Sequence, residues 1–208
     1  MIKLRHYSVL FIAPVFLLLA LTTQSTPTTA STAPIEINDA EDLGKIGRNP
    51  NYPLNGTYQQ TADIVVNKDH KPIGISTWGT FLGPFTGKYD GQCRTISGLS
   101  DCFVDILKGS ISDLQFTRAN IKYSARPTGL AACVVDGTGT VSNIRAKDVH
   151  IVNRGHYADA GIGGGRVKGM VANIMAVNST VETVDWLADA GIGGGRLKLE
   201  ERLPTPRR

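Results

Sequence analysis

The chain is short of the residues from which ordinary catalytic and cofactor sites are built. It holds 3 cysteines and 4 histidines in 208 residues. No C-x-x-C pair occurs, and the histidines lie far from the cysteines in sequence, which argues against a zinc site. No G-x-S-x-G element places a serine nucleophile, and Cys133 has no neighbouring histidine to activate it. Aromatics make up only 7% of the chain, too few for one large aromatic core. A clustered basic face is also missing. The formal net charge is +4, but it resides at the two ends. Without residues 1–30, which carry Lys3 and Arg5 and no acid, Lys plus Arg falls from 22 to 20 against 18 acids, a net +2. The tail from Arg196 holds Arg196, Lys198, Arg202, Arg207 and Arg208 against Glu200 and Glu201, a net +3, leaving the body at about −1. That distribution excludes an electrostatic footprint for nucleic acid.

What is present begins with an export pattern. Lys3, Arg5 and His6 form a basic start, Tyr7 to Leu21 is an apolar run broken by Ser8 and Pro14, and a Thr-rich polar stretch follows. This is the order of a secretory signal, with Thr28-Thr29-Ala30 as a small-residue cleavage zone. The apolar run falls short of the roughly 20 residues that span a bilayer; an uncleaved anchor is the competing reading. The chain therefore divides into a signal peptide (1–30), a linker (31–34), a folded domain (35–197) and a basic tail or truncated cap (198–208). Three cysteines in an exported chain leave one unpaired. Buried reduced thiols and a Cys93–Cys102 bridge both remain open.

Folded sequence starts near Ile35. Asn38 to Ile46 predicts a short helix, capped by Asn38 or Asp39, acidic in its first turn, with Leu43 and Ile46 on one face. Beyond it the helical period disappears. Short β-like runs such as Thr61 to Val66, Thr95 to Leu99, Ile111 to Phe116 and Val141 to Ala146 alternate with Gly, Asn, Asp and Pro.

The decisive feature is an internal repeat. Ile111-Ser-Asp-Leu114 returns as Val141-Ser-Asn-Ile144 and again as Val171-Ala-Asn-Ile174, and Ile121, Ile151 and Val181 follow with the same period. Ala158 to Val167 returns as Ala188 to Leu197 with nine of ten residues identical. Gly129 to Cys133 fills the same role with a two-residue offset, absorbed by the longer turn Asp136 to Thr140. One such unit cannot bury its own inward face, but units stacked about 4.8 Å apart can. Leu114, Ile144 and Ile174 become an inward ladder. Asp113, Asn143 and Asn173 become a second ladder that turns the chain or pairs along the stack. The fold expected is all-β: a right-handed parallel β-helix (β-solenoid) of about four to five coils with a short N-terminal helical cap.

An ordered series of motifs then resembles a known family. Leu54-Asn-Gly-Thr-Tyr58, Ala62-Asp-Ile64, Pro72-Ile-Gly74, Phe85-Thr-Gly-Lys-Tyr-Asp-Gly91 and Thr95-Ile-Ser-Gly-Leu99 are similar to the opening of bacterial GLUG-repeat proteins. The later Gly-Leu and Gly-Ile starts resemble the repeat itself. The resemblance covers about residues 35–197. It implies an exported or surface-exposed β-helix, often part of adhesin-like or surface-protease proteins, with no catalytic motif to carry over. The tail from Leu197 departs from the repeat.

The side chains with chemistry are few. Gly161-Ile-Gly-Gly-Gly-Arg166 lacks the G-K-[ST] ending of a phosphate loop and reads as a turn. Asp159 with Asp189, and Arg166 with Arg196, would stack as ladders. Stacked carboxylates can hold a hard cation, while a solvated or Arg-paired turn is the plainer reading. Asp148, Asp159, Asp185 and Asp189 form no recognisable carboxylate pair for glycoside hydrolysis. His156, Tyr157, Asp159, Trp186 and Asp189 are the candidate ligand-binding residues, against packing beside the turn. No catalytic, cofactor or metal residue is expected. The function expected is a non-catalytic secreted or cell-surface module for adhesion or recognition. Its partners would be an extracellular glycan or a host or matrix protein, with no nucleic acid and no membrane contact beyond the signal. A carbohydrate-active enzyme on the same scaffold and a structural stalk or fragment are the alternatives.

Overall fold

A constant sequence period predicts that residues one period apart lie one above the other, and a computed structural model obeys that rule. It describes residues 33–197 apart from 76, 124, 125, 157, 185 and 186; the expected signal peptide and the basic tail lie outside them. The chain is a β-solenoid whose long strands Ser110–Thr117, Thr140–Lys147 and Met170–Val177 pair in parallel. Ile111, Val141 and Val171 stack in one column, and Leu114, Ile144 and Ile174 in another. The second face, Asn120–Tyr123, His150–Asn153 and Thr180–Thr183, stacks Ile121, Ile151 and Val181. The two-residue offset is real: Thr128 pairs with Ala160, whereas Thr140 pairs with Met170. The extra residues are taken up in the turn after Ala132–Val135.

The glycine run of the repeat is a matter of clearance. A Cβ on Gly165 would strike the backbone of Thr128 and Cys133, and one on Gly161 would strike Gly164 and Gly195. Adjacent coils approach so closely at this corner that only hydrogen fits.

Ahead of the repeats the same sheet continues through Lys88–Asp90, Thr57–Gln60 and Ile35–Ile37. The first column now reads Ile35, Tyr58, Tyr89, Ile111, with no constant interval between its members. Aromatics fill this part of the core: Tyr89 meets Phe103 edge-on at 4.9 Å and Phe103 meets Phe116 at 5.7 Å. The helix Ala40–Lys45 sits here as expected. Asp39 caps it, its carboxylate accepting from the Asp42 amide at 2.8 Å, with Glu41 and Asp42 in its first turn and Leu43 buried. Arg48 ties the following loop to it, donating to the carbonyls of Gly44, Pro72 and Ile75.

The cysteines depart from the sequence expectation. Cys102 and Cys133 form a disulfide, Cα–Cα 5.5 Å, and Cys93 is free and exposed. Neither three buried thiols nor a Cys93–Cys102 bridge survives. The reason is the coil length: residues about one period apart stack on neighbouring coils, and this pair is 31 residues apart, while Cys93 turns outward at a corner.

Candidate ligand-binding groove

Each repeat bends once inside its long strand. Asp113, Asn143 and Asn173 adopt positive φ of 54°, 56° and 53°, a conformation Asn and Asp tolerate better than other side-chain-bearing residues. They are stapled along the stack. The Asn143 amide donates to the Asp113 carboxylate at 2.9 Å, and Asn173 donates to the Asn143 carbonyl oxygen at 3.0 Å. The preceding coil makes the same bend with a longer turn, in which Gln92 and Cys93 have φ of 50° and 58°. Cys93 donates its amide to the Asp113 carbonyl at 2.7 Å.

The bends align into a groove along the solenoid axis. Its main part, about 600 Å³, is lined by Asp113, Gln115, Asn143, Arg145, Asn173 and Met175, with Cys93 at one end. A second depression of about 380 Å³ shares Cys93 and continues over Gln59, Thr61 and Arg94. Amide and guanidinium side chains share the lining with the apolar Ile144, Ile174 and Met175, and Asp113 is its acid. Outward side chains recur at the rung spacing of about 4.8 Å, so an extended polar ligand laid along the axis would meet a hydrogen-bonding group at every coil. Among the described residues no aromatic lines either part.

Of the residues singled out from sequence, His156, Asp159 and Asp189 lie elsewhere, at the turns after His150–Asn153 and Thr180–Thr183. Tyr157 and Trp186 fall outside the described residues. His156 and Asp189 are exposed. Asp159 is fully buried: one carboxylate oxygen accepts from the Asp189 amide at 3.2 Å, the other lies 3.6 Å from Arg166 Nε. The register also aligns Arg166 with Arg196. The Asp159 carboxylate thus ties its own coil to the next, the Arg-paired arrangement weighed from the sequence. None of His156, Asp159 and Asp189 lines the groove.

Two further polar clusters escaped the sequence reading. Arg126 pairs with Asp101 at 3.0 Å and with Asp105, and its guanidinium lies 4.7 Å over the Tyr123 ring. Burial pushes the Asp105 carboxyl up, against the pull of Arg126. The cluster flanks the disulfide, so the grouping of Asp101 with Cys102 and Cys133 offers no metal site: both sulfurs are bonded and the carboxylate is held by Arg126. Second, His70 packs against the helical cap, and burial together with the neighbouring Arg48 charge lowers its pKa to about 4. The spacing of Asp101, Asp105 and Arg126 carries no pattern that would have disclosed them. The groove did leave one: Gln115, Arg145 and Met175 sit two positions after the Asp113–Asn143–Asn173 ladder, with the same period.

No protein-family model matches the chain, and no curated protein matches it. The fold resembles the crystal structure of a "putative immunoglobulin A1 protease" from Bacteroides ovatus, with a TM-score of 0.51 and 14% identity over 78% of this chain and 71% of that one. At that identity the likeness concerns the β-solenoid fold.

Proposed function

We propose that the chain is an exported recognition module, similar to GLUG-repeat surface proteins, that holds an extended glycan or a segment of an extracellular protein in the groove at the strand bends. The observation that carries this reading is the groove itself: the Asp113–Asn143–Asn173 ladder repeated at the rung spacing, with Gln115 and Arg145 beside it on the same parallel strands. The Cys102–Cys133 disulfide supports an oxidising compartment, in keeping with the signal-like N-terminus. Arg145 is exposed in the groove and supplies a planar five-donor fork suited to carboxylates and sugar hydroxyls.

Binding of the exported chain to arrays of glycans and extracellular-matrix proteins tests the proposal. Saturable binding that Arg145→Glu weakens about tenfold or more supports it. Binding indifferent to Arg145→Glu and to Gln115→Ala moves the site away from the groove and overturns it. The name of the structural neighbour favours a second reading, proteolysis. Cleavage of immunoglobulin A1, or sugar released from a bound glycan, would replace recognition by catalysis.

A further inference from the structure

The region between the cap and the first regular coil carries a feature that the groove does not use. No charged residue occurs between Lys71 and Lys88, although 19% of the chain is charged. The two ends of that stretch enter the core, through Ile73 and Phe85. Its middle does the opposite. Trp78 is 94% exposed, Phe81 52% and Leu82 40%.

The exposed side chains are presented by a closed base. Ile75 and Phe81 form an antiparallel bridge, and the Leu82 amide donates to the Gly74 carbonyl at 2.7 Å. Gly74 and Gly83 have φ of +97° and +136° and lie so close that a Cβ on Gly74 would meet the Gly83 carbonyl oxygen at 2.6 Å. The chain turns at the tip through Gly79, φ +82°, in open space. Arg48 anchors the near side of the base through the carbonyls of Lys71, Pro72 and Ile75. This is a small hairpin held out from the solenoid by backbone bonds, with apolar groups at its end.

Its shape and charge decide the partner. A convex tip gives a sugar no walls to sit between. Tryptophan favours the boundary between headgroups and acyl chains, where its ring is buried and its N–H stays wet. Along the chain the hairpin is flanked by exposed Lys68, Lys71 and Lys88 against Asp69, while Glu41, across the hollow beside Thr77, is paired with Lys45; the flanking excess of positive charge complements anionic headgroups. We infer that the Trp78–Leu82 hairpin inserts into the interface of an anionic lipid bilayer, docking the solenoid on a membrane surface. This departs from the sequence-level expectation of no membrane contact beyond the signal, and it is independent of the groove.

The test uses the full chain carrying Trp186→Phe, which leaves Trp78 as the one tryptophan of the 2 in the sequence. The apolar Tyr7 to Leu21 run can hold the chain on a vesicle unaided, so the readout is confined to Trp78. On vesicles of phosphatidylcholine with phosphatidylglycerol, Trp78 emission should shift to the blue and be quenched by brominated acyl chains. In Phe81→Ser/Leu82→Ser, with thermal unfolding unchanged, the lipid concentration needed for the shift should rise about tenfold or more. Trp78 emission that stays at its aqueous position on vesicles carrying the bound chain overturns the inference. So does a shift that appears only with an added glycan or protein.

Discussion

The two ends of the described solenoid solve the same packing problem differently. From Ser110 onward, coils succeed one another with a constant period along this sheet, aliphatic side chains stack in columns, and one bend recurs in each long strand. Before Ser110 the coils along the same sheet are unequal in length, Tyr58, Tyr89, Phe85 and Phe103 fill the core, and a helix and a hairpin interrupt the coils. The regular part spreads its stability over many equivalent contacts. The irregular part concentrates it in a few large side chains and can therefore spare residues for a cap and an exposed tip. Within the regular part burial falls at the last described coil: Ile111, Leu114, Val141 and Ile144 are fully buried, whereas Val171 and Ile174 are only partly so.

This contrast can be broken most forcefully at its centre. Phe103→Ala removes the ring that joins Tyr89 to Phe116 and should cost about 3–5 kcal/mol in denaturant unfolding. Ile174→Ala, on the partly buried coil, should cost well under half as much. Equal losses would mean that the core is not concentrated where the aromatics are.

The disulfide joins the two styles, since Cys102 precedes the regular part and Cys133 lies within it. Its loss in Cys102→Ser/Cys133→Ser should lower stability by about 3 kcal/mol, with calorimetry as the measure. Reduction of the wild type should reproduce the change, and Cys93→Ser should not.

The cap supplies a pH dependence of its own. His70 has a lowered pKa of about 4 in the folded chain, against about 6.5 when unfolded. Between those values the unfolded state binds the extra proton, so stability is full above pH 6.5 and is lost as pH falls toward 4. The loss should be on the order of 2–3 kcal/mol. Melting temperature followed against pH in His70→Gln should show a flatter profile over that window; an unchanged profile would assign the acid lability elsewhere.

The smallest effect sharpens the repeat side. Asn143→Ala removes one amide of the ladder and places alanine at φ 56°, costing about 1–2 kcal/mol. Asn143→Gly should cost less because the conformation is free for glycine. If the two variants lose stability equally, the side-chain hydrogen bond rather than the backbone bend holds the corner.

Much of the regular half is legible because its period is carried by residue type. Asp113, Asn143 and Asn173 are the residues that accept a left-handed bend and can also pair along a stack, so the column and its purpose both show in the sequence. The cysteines mislead because Cys93 and Cys102 are near each other along the chain, whereas in a solenoid nearness is counted in coils. Asp159 and Trp78 illustrate the remaining gap. An aspartate in a turn suggests an exposed ligand group, yet the neighbouring coil closes over it and Arg166 pairs with it. A tryptophan in an uncharged stretch suggests core, yet it sits on the tip of a hairpin. Asp159 takes its environment from its own turn and from the next coil, 30 residues on, and Trp78 from the Gly74–Leu82 base that holds its hairpin away from the core.

The sequence by itself determined the β-solenoid architecture, the coil length of the repeats, the inward columns and the ladder at the bends, because each depends on a pattern that one coil hands to the next. Only the tertiary structure decided which cysteines meet, that aligned bends open a groove, that Asp159 is buried, and that Trp78 projects into solvent. Those outcomes depend on which surfaces lie face to face after stacking, and the irregular coils before Ser110 carry no period from which that could be counted.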